Sequence, residues 1–332
     1  MPDVDNLRET LQAAIERLVR GGWDELESTL ISHGQVTPVR GTRATLRCHF
    51  LRSDPNGRAR LDALAQQLAD MLIHYCIPRR KIIAIRQLDD DKRDAATSRL
   101  ARDASKLFTQ TQMKTGEGAE LLLYAMLEKL LGIPQVLSKM SLKTSTEMQI
   151  HGADGVHAKL EDNGDLALYW GEAKMYESVS AAMADCLDSL SPYLIGNAHE
   201  QDVFLLKHYA DAGTEDITIK LLEYFDNASM LSAQVEMRGA CLIGFSHADY
   251  PALPRDLEQL QEGLDTALKS WRRSMKTRLT NRSLENYTIE LFFVPVPSAQ
   301  DFRDAIKNEL GIPLIVAPAD VDGTSATGGA TP

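Results

Sequence analysis

Three side chains near the middle of the chain, Asp154, Glu172 and Lys174, are of types that could work together on one substrate. Two carboxylates with one ammonium suit a hard divalent cation, Mg2+ or Mn2+, because such ions take oxygen ligands. Phosphodiester hydrolysis is a reaction that this set serves well. It needs an in-line water, stabilisation of charge at phosphorus and help for the leaving 3′ oxygen, most of which carboxylate-held cations can supply. Mg2+ keeps several waters and binds proteins through one or two carboxylates, which suits Asp154 with Glu172. Those carboxylates would keep Lys174 protonated, so holding the attacking water electrostatically fits it better than acting as general base. A blander reading competes: a Glu–Lys pair spaced i,i+2 on a strand can be an ordinary surface salt bridge worth ~0–1 kcal/mol.

The elements that must position these residues can be read from the surrounding sequence. Between His151 and Lys174 the chain reads as two strands around the turn residues Asn163-Gly164-Asp165, which tolerate the backbone of a tight hairpin. Side chains alternate along a strand, so Glu172 and Lys174 share a face and Ala173 takes the other. A one-residue slip of the hairpin register would carry that pair off the face of Asp154. Upstream, Glu117 to Gly132 reads as a helix with an apolar face of Leu121, Leu122, Tyr124, Ala125, Leu127 and Leu131, stopped by Gly132-Ile-Pro134. Glu117 and Glu120 stand in its first turn. They are either carboxylates favoured by the helix dipole or members of the site.

Composition bounds the rest. The 332 residues carry a net charge of −11 and 44% hydrophobic residues, ordinary for a globular chain with a substantial core. The acidity argues against a protein that coats nucleic acid by charge alone, but a nuclease with a local basic surface remains compatible with it. No apolar run approaches the ~20 residues of a membrane span, and the amphipathic N-terminus has no hydrophobic signal core. Cys48, Cys76, Cys186 and Cys241 are scattered without metal-knuckle spacing, as reduced thiols of a cytoplasmic protein would be. Walker, Rossmann and nucleophile-elbow patterns are absent.

In chain order, helices are expected at 5–18 and around 23–32, a strand at 43–51, a helix at 61–75, a strand at Ile82 to Ile85 and a helix at 93–108. Asp89-Asp90-Asp91 reads as a solvated loop or a helix start. A strand at 136–142 precedes the hairpin. Helices at 176–190, 197–212 and 215–227, a strand at 238–246, a helix at 254–282, a strand at 287–296 and a helix at 299–310 follow it. The division expected is an N-terminal α/β region over 1–110, an α/β domain over 111–318 and a disordered tail over 319–332. Further contacts to nucleic acid can be assigned to Lys143, His157 and Tyr176 near the hairpin, with His151 as a neighbour. Arg272, Arg273 and Lys276 join them from the basic stretch around Trp271, which is otherwise a solvated helix face.

The order helix, strand, hairpin, helix, strand resembles the PD-(D/E)xK nuclease superfamily, whose restriction-endonuclease-like αβββαβ core is a mixed sheet flanked by helices. That resemblance implies Asp154 and Glu172 as metal ligands, the Ala173 carbonyl as a further ligand, and Lys174 as the residue that orients water. It also implies a supporting helical glutamate, Glu120 in Gly116-x-x-x-Glu120, with Glu117 as the competing assignment. Ala153 stands where the superfamily often has proline. Within it, Lys143-Thr, His151-Gly-Ala-Asp154-Gly-Val-His157 and Tyr169-Trp-Gly-Glu172-Ala-Lys174-x-Tyr176 are similar to the HamA family of the Hachiman anti-phage defence system, to which AbpA-type proteins are related. The likeness is best from about Lys114 to Leu190. It implies Mg2+- or Mn2+-dependent degradation of DNA and a partner superfamily-2 helicase, HamB. A different class of function stays open, an interaction subunit that binds and restrains a helicase without cutting, and so does a nuclease directed at RNA.

Overall fold

The computed structural model describes residues 4–19, 24–110, 116–137, 140, 153–210, 215–226, 228–248, 250 and 257–312. Its N-terminal region holds α1 (Val4–Glu16), α2 (Asp24–Glu27), β1 (Leu30–Pro38), β2 (Ala44–Leu51), α3 (Leu61–Asp70), α4 (Leu72–Cys76), α5 (Arg79–Arg86) and α6 (Asp90–Gln110). There follow α7 (Glu117–Leu131), β3 (Gln135–Leu137), β4 (Gly155–Leu160), β5 (Leu166–Tyr176), α8 (Val179–Leu194), α9 (His199–Tyr209) and α10 (Glu215–Leu222). The last elements are β6 (Val235–Ser246), α11 (Leu257–Asn281), β7 (Ile289–Val296) and α12 (Ala299–Glu309). The expected αβββαβ order is present as α7-β3-β4-β5-α8-β6, with α9, α10 and two short 3-10 turns between α8 and β6.

All seven strands form one mixed sheet in the order β1-β2-β7-β6-β5-β4-β3. The four central strands β2, β7, β6 and β5 run parallel, while β1, β4 and β3 pair antiparallel at the two sides. Central parallel strands are buried on both faces, which is why Cys241-Leu-Ile-Gly-Phe245 and Leu291-Phe-Phe-Val294 read as continuous apolar runs. Apolar side chains of α1, α8 and α11 pack on one face, and those of α3, α4, α6, α7 and α12 on the other. The β2–β7 pairing carries the N-terminal region into the same sheet as the rest of the chain.

Two expected elements are corrected. Ile82 to Ile85, expected as a strand, belongs to helix α5, where Arg79 and Ile82 are buried three residues apart while Ile83 is exposed. The β-branched run suggested a strand, but one-sided burial with a period near three overrides that propensity. Among the described residues around 23–32 only Asp24–Glu27 is helical, and the chain is already extended from Leu30. The polar stretch with Gly34 at φ 69°, where the register shifts between His33 and Thr37, hid β1 from a reading that looks for alternation. Asp90 and Asp91 start α6, where their charge favours the helix N-terminus. The expected tail, 319–332, lies outside the described residues.

Candidate functional site

The hairpin forms at the turn expected for it. Gly164 has φ 87°, its N–H donates to the Glu161 carbonyl at 2.8 Å, and the Glu161 N–H donates to the Asp165 carbonyl at 2.9 Å. The register it sets pairs Val156 with Trp170 and Gly155 with Gly171. Just before β4 begins, the Asp154 side chain reaches the backbone beside Glu172, and both carboxylates lie within electrostatic reach of Lys174. The Asp154 N–H donates to the Gly171 carbonyl at 2.9 Å, and its Oδ2 accepts the Ala173 N–H at 2.8 Å. In an extended strand one residue's N–H and C=O leave by the same edge. The Ala173 carbonyl therefore also faces Asp154, where β4 has not yet begun.

Lys174 Nζ lies 3.2 Å from Glu172 Oε2, with side-chain exposures of 21% and 5%. Burial alone would lower the lysine pKa, but Glu172 and Asp154 outweigh it and hold the ammonium above its usual range. Lys174 is thus a fixed cation, as its carboxylate neighbours suggested. The Glu172 carbonyl takes the Cys186 thiol of α8 at 3.2 Å. Tyr193 of α8 also senses both carboxylates: burial first, then Glu172, Asp202 and Asp154, push its phenol pKa up.

Glu120 comes from the other side of the sheet. Helix α7 crosses β5 at Gly171, where an added Cβ would sit 3.1 Å from Leu123 Cδ2, so glycine permits the close approach. Glu120 is one turn earlier. Its Oε2 accepts the hydroxyl of Tyr75 at 3.1 Å, and burial followed by the charges of Glu120 and Asp154 raises the Tyr75 pKa. One buried phenol therefore lies within electrostatic reach of both the helical and the hairpin carboxylate. Sequence reasoning missed Tyr75, because nothing local separates it from other apolar-face residues of a helix.

Other expected site residues fall elsewhere. His157 is a correction: it is 2% exposed, its Nδ1 lies 3.0 Å from the Ile133 carbonyl, and burial lowers its pKa to about 4. A ring with no solvent-facing surface has none for DNA, and it serves as a core strut between α7 and β4. Tyr176 is half-buried and hydrogen-bonded to Asp185 of α8. On α11, Trp271 is stacked on Phe293, Arg278 reaches Ser180 at 2.7 Å and Arg282 reaches Asp188 at 2.7 Å, so part of the basic stretch docks the helix on α8. Arg273 and Lys276 remain exposed on the same side of the sheet as Glu172, and Arg272 is half-buried. Lys143 and His151 lie outside the described residues.

The donor set fits Mg2+ or Mn2+. Asp154, Glu172 and the Ala173 carbonyl offer hard oxygens at one end of a strand pair, and Glu120 acts with Asp154 on Tyr75. Among the described residues no group of three or more His, Cys, Asp or Glu side chains is placed to hold a metal ion. Mg2+ binds proteins through one or two carboxylates and keeps several waters. The four cysteines are free and buried, and no helix is long and apolar enough to cross a membrane. No curated protein matches the chain. The HamA family model matches residues 25–310, covering β1, helices α3 to α6, the hairpin and the sheet through α12. With most of its length inside that match, the chain belongs to the HamA family of Hachiman defence proteins.

Proposed function

We propose that this protein is a metal-dependent DNA nuclease, the effector of its defence system, controlled by a partner helicase. The observation that carries the reading is the gathering of two carboxylates around Lys174 at the end of the hairpin, where both raise its pKa. Asp154 and Glu172 both lie within electrostatic reach of the Lys174 ammonium, in a setting where Glu172 is 4% exposed. Carboxylate oxygens held in such a place suit a hard divalent cation.

Asp154, Glu172 and the Ala173 carbonyl would hold Mg2+ or Mn2+, with Glu120 supporting. When bound, the ion supplies Lewis acidity toward the phosphate and lowers the pKa of water. The remaining work falls to the chain. Lys174, kept protonated by its neighbours, orients the attacking water and stabilises charge growing on the non-bridging oxygens. Asp154 accepts the Ala173 N–H and so fixes the strand end against which substrate would lie. Arg273 and Lys276 of α11 offer positive charge to the DNA backbone on the same side of the sheet.

Cleavage of linear and plasmid DNA by the full chain, with Mg2+ and then with EDTA, with and without the co-expressed helicase, tests the reading. RNA of matched length tests the polymer. Metal-dependent DNA cleavage that Lys174→Ala removes is expected, and equal cleavage by both proteins would sink the proposal.

A second reading, an interaction subunit that restrains a helicase, is favoured by a different observation. Five large apolar side chains between α8 and β6, Ile195, Phe204, Tyr209, Ile219 and Met230, are exposed, Met230 at 93%. Such a surface suits a protein partner. Full protection from phage by the Lys174→Ala protein would select this reading.

A further inference from the structure

The segment Leu72–Arg86, which carries no catalytic residue, grips α7 at two points. Tyr75, 2% exposed, donates its hydroxyl to Glu120 Oε2 at 3.1 Å, and its ring packs against Tyr124 at 5.3 Å and Phe108 at 6.4 Å. Four residues on, Arg79 reaches Glu128 at 2.7 Å, a pair with side-chain exposures of 7% and 1%. Glu128 Oε1 also accepts the Gln135 N–H of β3 at 3.2 Å. Eight residues separate Glu120 from Glu128, about 12 Å of helix. The grip thus fixes α7 along its axis and, through β3 and β4, the strand whose start follows Asp154.

We propose that Tyr75 is a positioning residue of the site, its hydroxyl fixing the carboxylate of Glu120 so that the N-terminal region completes the metal centre. The inference rests on the nuclease reading above and adds a function for residues outside the α7–β6 core. A hydroxyl bonded to a carboxylate in a buried site is a charge-assisted contact that sets both rotamer and direction. The ring is packed independently of the hydroxyl, so Tyr75→Phe removes the bond and leaves the aromatic cluster. Outer partners of metal-binding groups typically change metal affinity or activity by about 10–100-fold.

The test uses the full chain and Mn2+ as the probe. Calorimetric Mn2+ affinity and DNA cleavage are measured for wild type, Tyr75→Phe, Glu120→Gln, the double variant and Glu172→Gln, with thermal unfolding as the check on folding. Tyr75→Phe should remain folded, bind Mn2+ about tenfold or more weakly, and add nothing once Glu120 is Gln. Unchanged Mn2+ binding in Tyr75→Phe, or full additivity in the double variant, overturns the inference. If Glu172→Gln loses Mn2+ while Tyr75→Phe keeps it, the nuclease reading stands and only this inference falls. A wild type that neither binds Mn2+ nor cuts DNA overturns both.

Discussion

Two neighbouring strands each carry a glutamate and a basic residue spaced i,i+2, and the two pairs have opposite characters. On β6, Arg238 bonds Glu236, Glu161 and the Tyr169 hydroxyl, and Arg43 also reaches Glu236. Arg238 thus meets two carboxylates and Glu236 two guanidinium groups, and Glu236 and Glu161 keep 29% and 25% of their side-chain surface in water. On β5, Lys174 meets Glu172 with Asp154 close by, two carboxylates to one cation, and Glu172 keeps only 5%. The first pair closes on itself as a salt-bridge network. The second gathers carboxylates around one lysine at a largely buried strand end. Spacing alone does not distinguish the two pairs; their burial and their neighbours do.

Substitutions at the two pairs should therefore cross over. The largest effect expected is that Lys174→Ala abolishes DNA cleavage while circular dichroism and thermal unfolding stay near wild type. Arg238→Ala should retain cleavage but lose about 2 kcal/mol in urea unfolding. That is less than for a fully buried pair, because its carboxylate partners are partly solvated. If Arg238→Ala also ended cleavage, the division between the two clusters would be broken.

Acid tests the frame that both clusters share. His157 and His49 are buried, and burial, aided by Arg47 for His49, lowers both pKa values from 6.5 to about 4. Between those values the unfolded chain binds protons that the folded chain does not. Stability is therefore complete above about pH 6.5 and falls as pH drops toward 4, by up to about 3 kcal/mol per histidine. Urea midpoints measured from pH 7 to pH 4.5 should show this slope, and His157→Gln should flatten it.

Metal addition gives a comparable signal that only one cluster should control. Mg2+ at a hundred times its dissociation constant stabilises a single-site protein by about 2.7 kcal/mol. The resulting rise in Tm is expected for wild type and Glu236→Gln and should vanish in Glu172→Gln. The smallest effect belongs to Arg43→Ala. Its side chain is 57% exposed, so a change within about 0.5 kcal/mol is expected, and a larger loss would show the β6 network to be more tightly coupled than its exposure suggests.

Much of the core was legible before any coordinates. The hairpin turn at Gly164 and the long helices follow local rules of period, cap and turn, and the fold class follows from their order. Strand alternation also placed Glu172 with Lys174. Where the reading failed, the deciding contact was distant. Ile82 to Ile85 became helix because Arg79 is paired with Glu128 and Ile82 is buried, and His157 left the surface because Ile133 and Tyr124 enclose it. Tyr75 was invisible for the same reason, since its partner Glu120 lies 45 positions away.

By itself, the sequence determined which residues could do chemistry and which of them a strand would place on one face, because alternation and turn geometry act over a few residues. Only the tertiary structure decided that Asp154 bonds the backbone beside Glu172, that both carboxylates act on Lys174, and that a tyrosine from the N-terminal region holds Glu120. Register, burial and electrostatic surroundings are sums over distant neighbours. A local pattern such as Glu-x-Lys reads the same whether those neighbours cancel its charge or add to it.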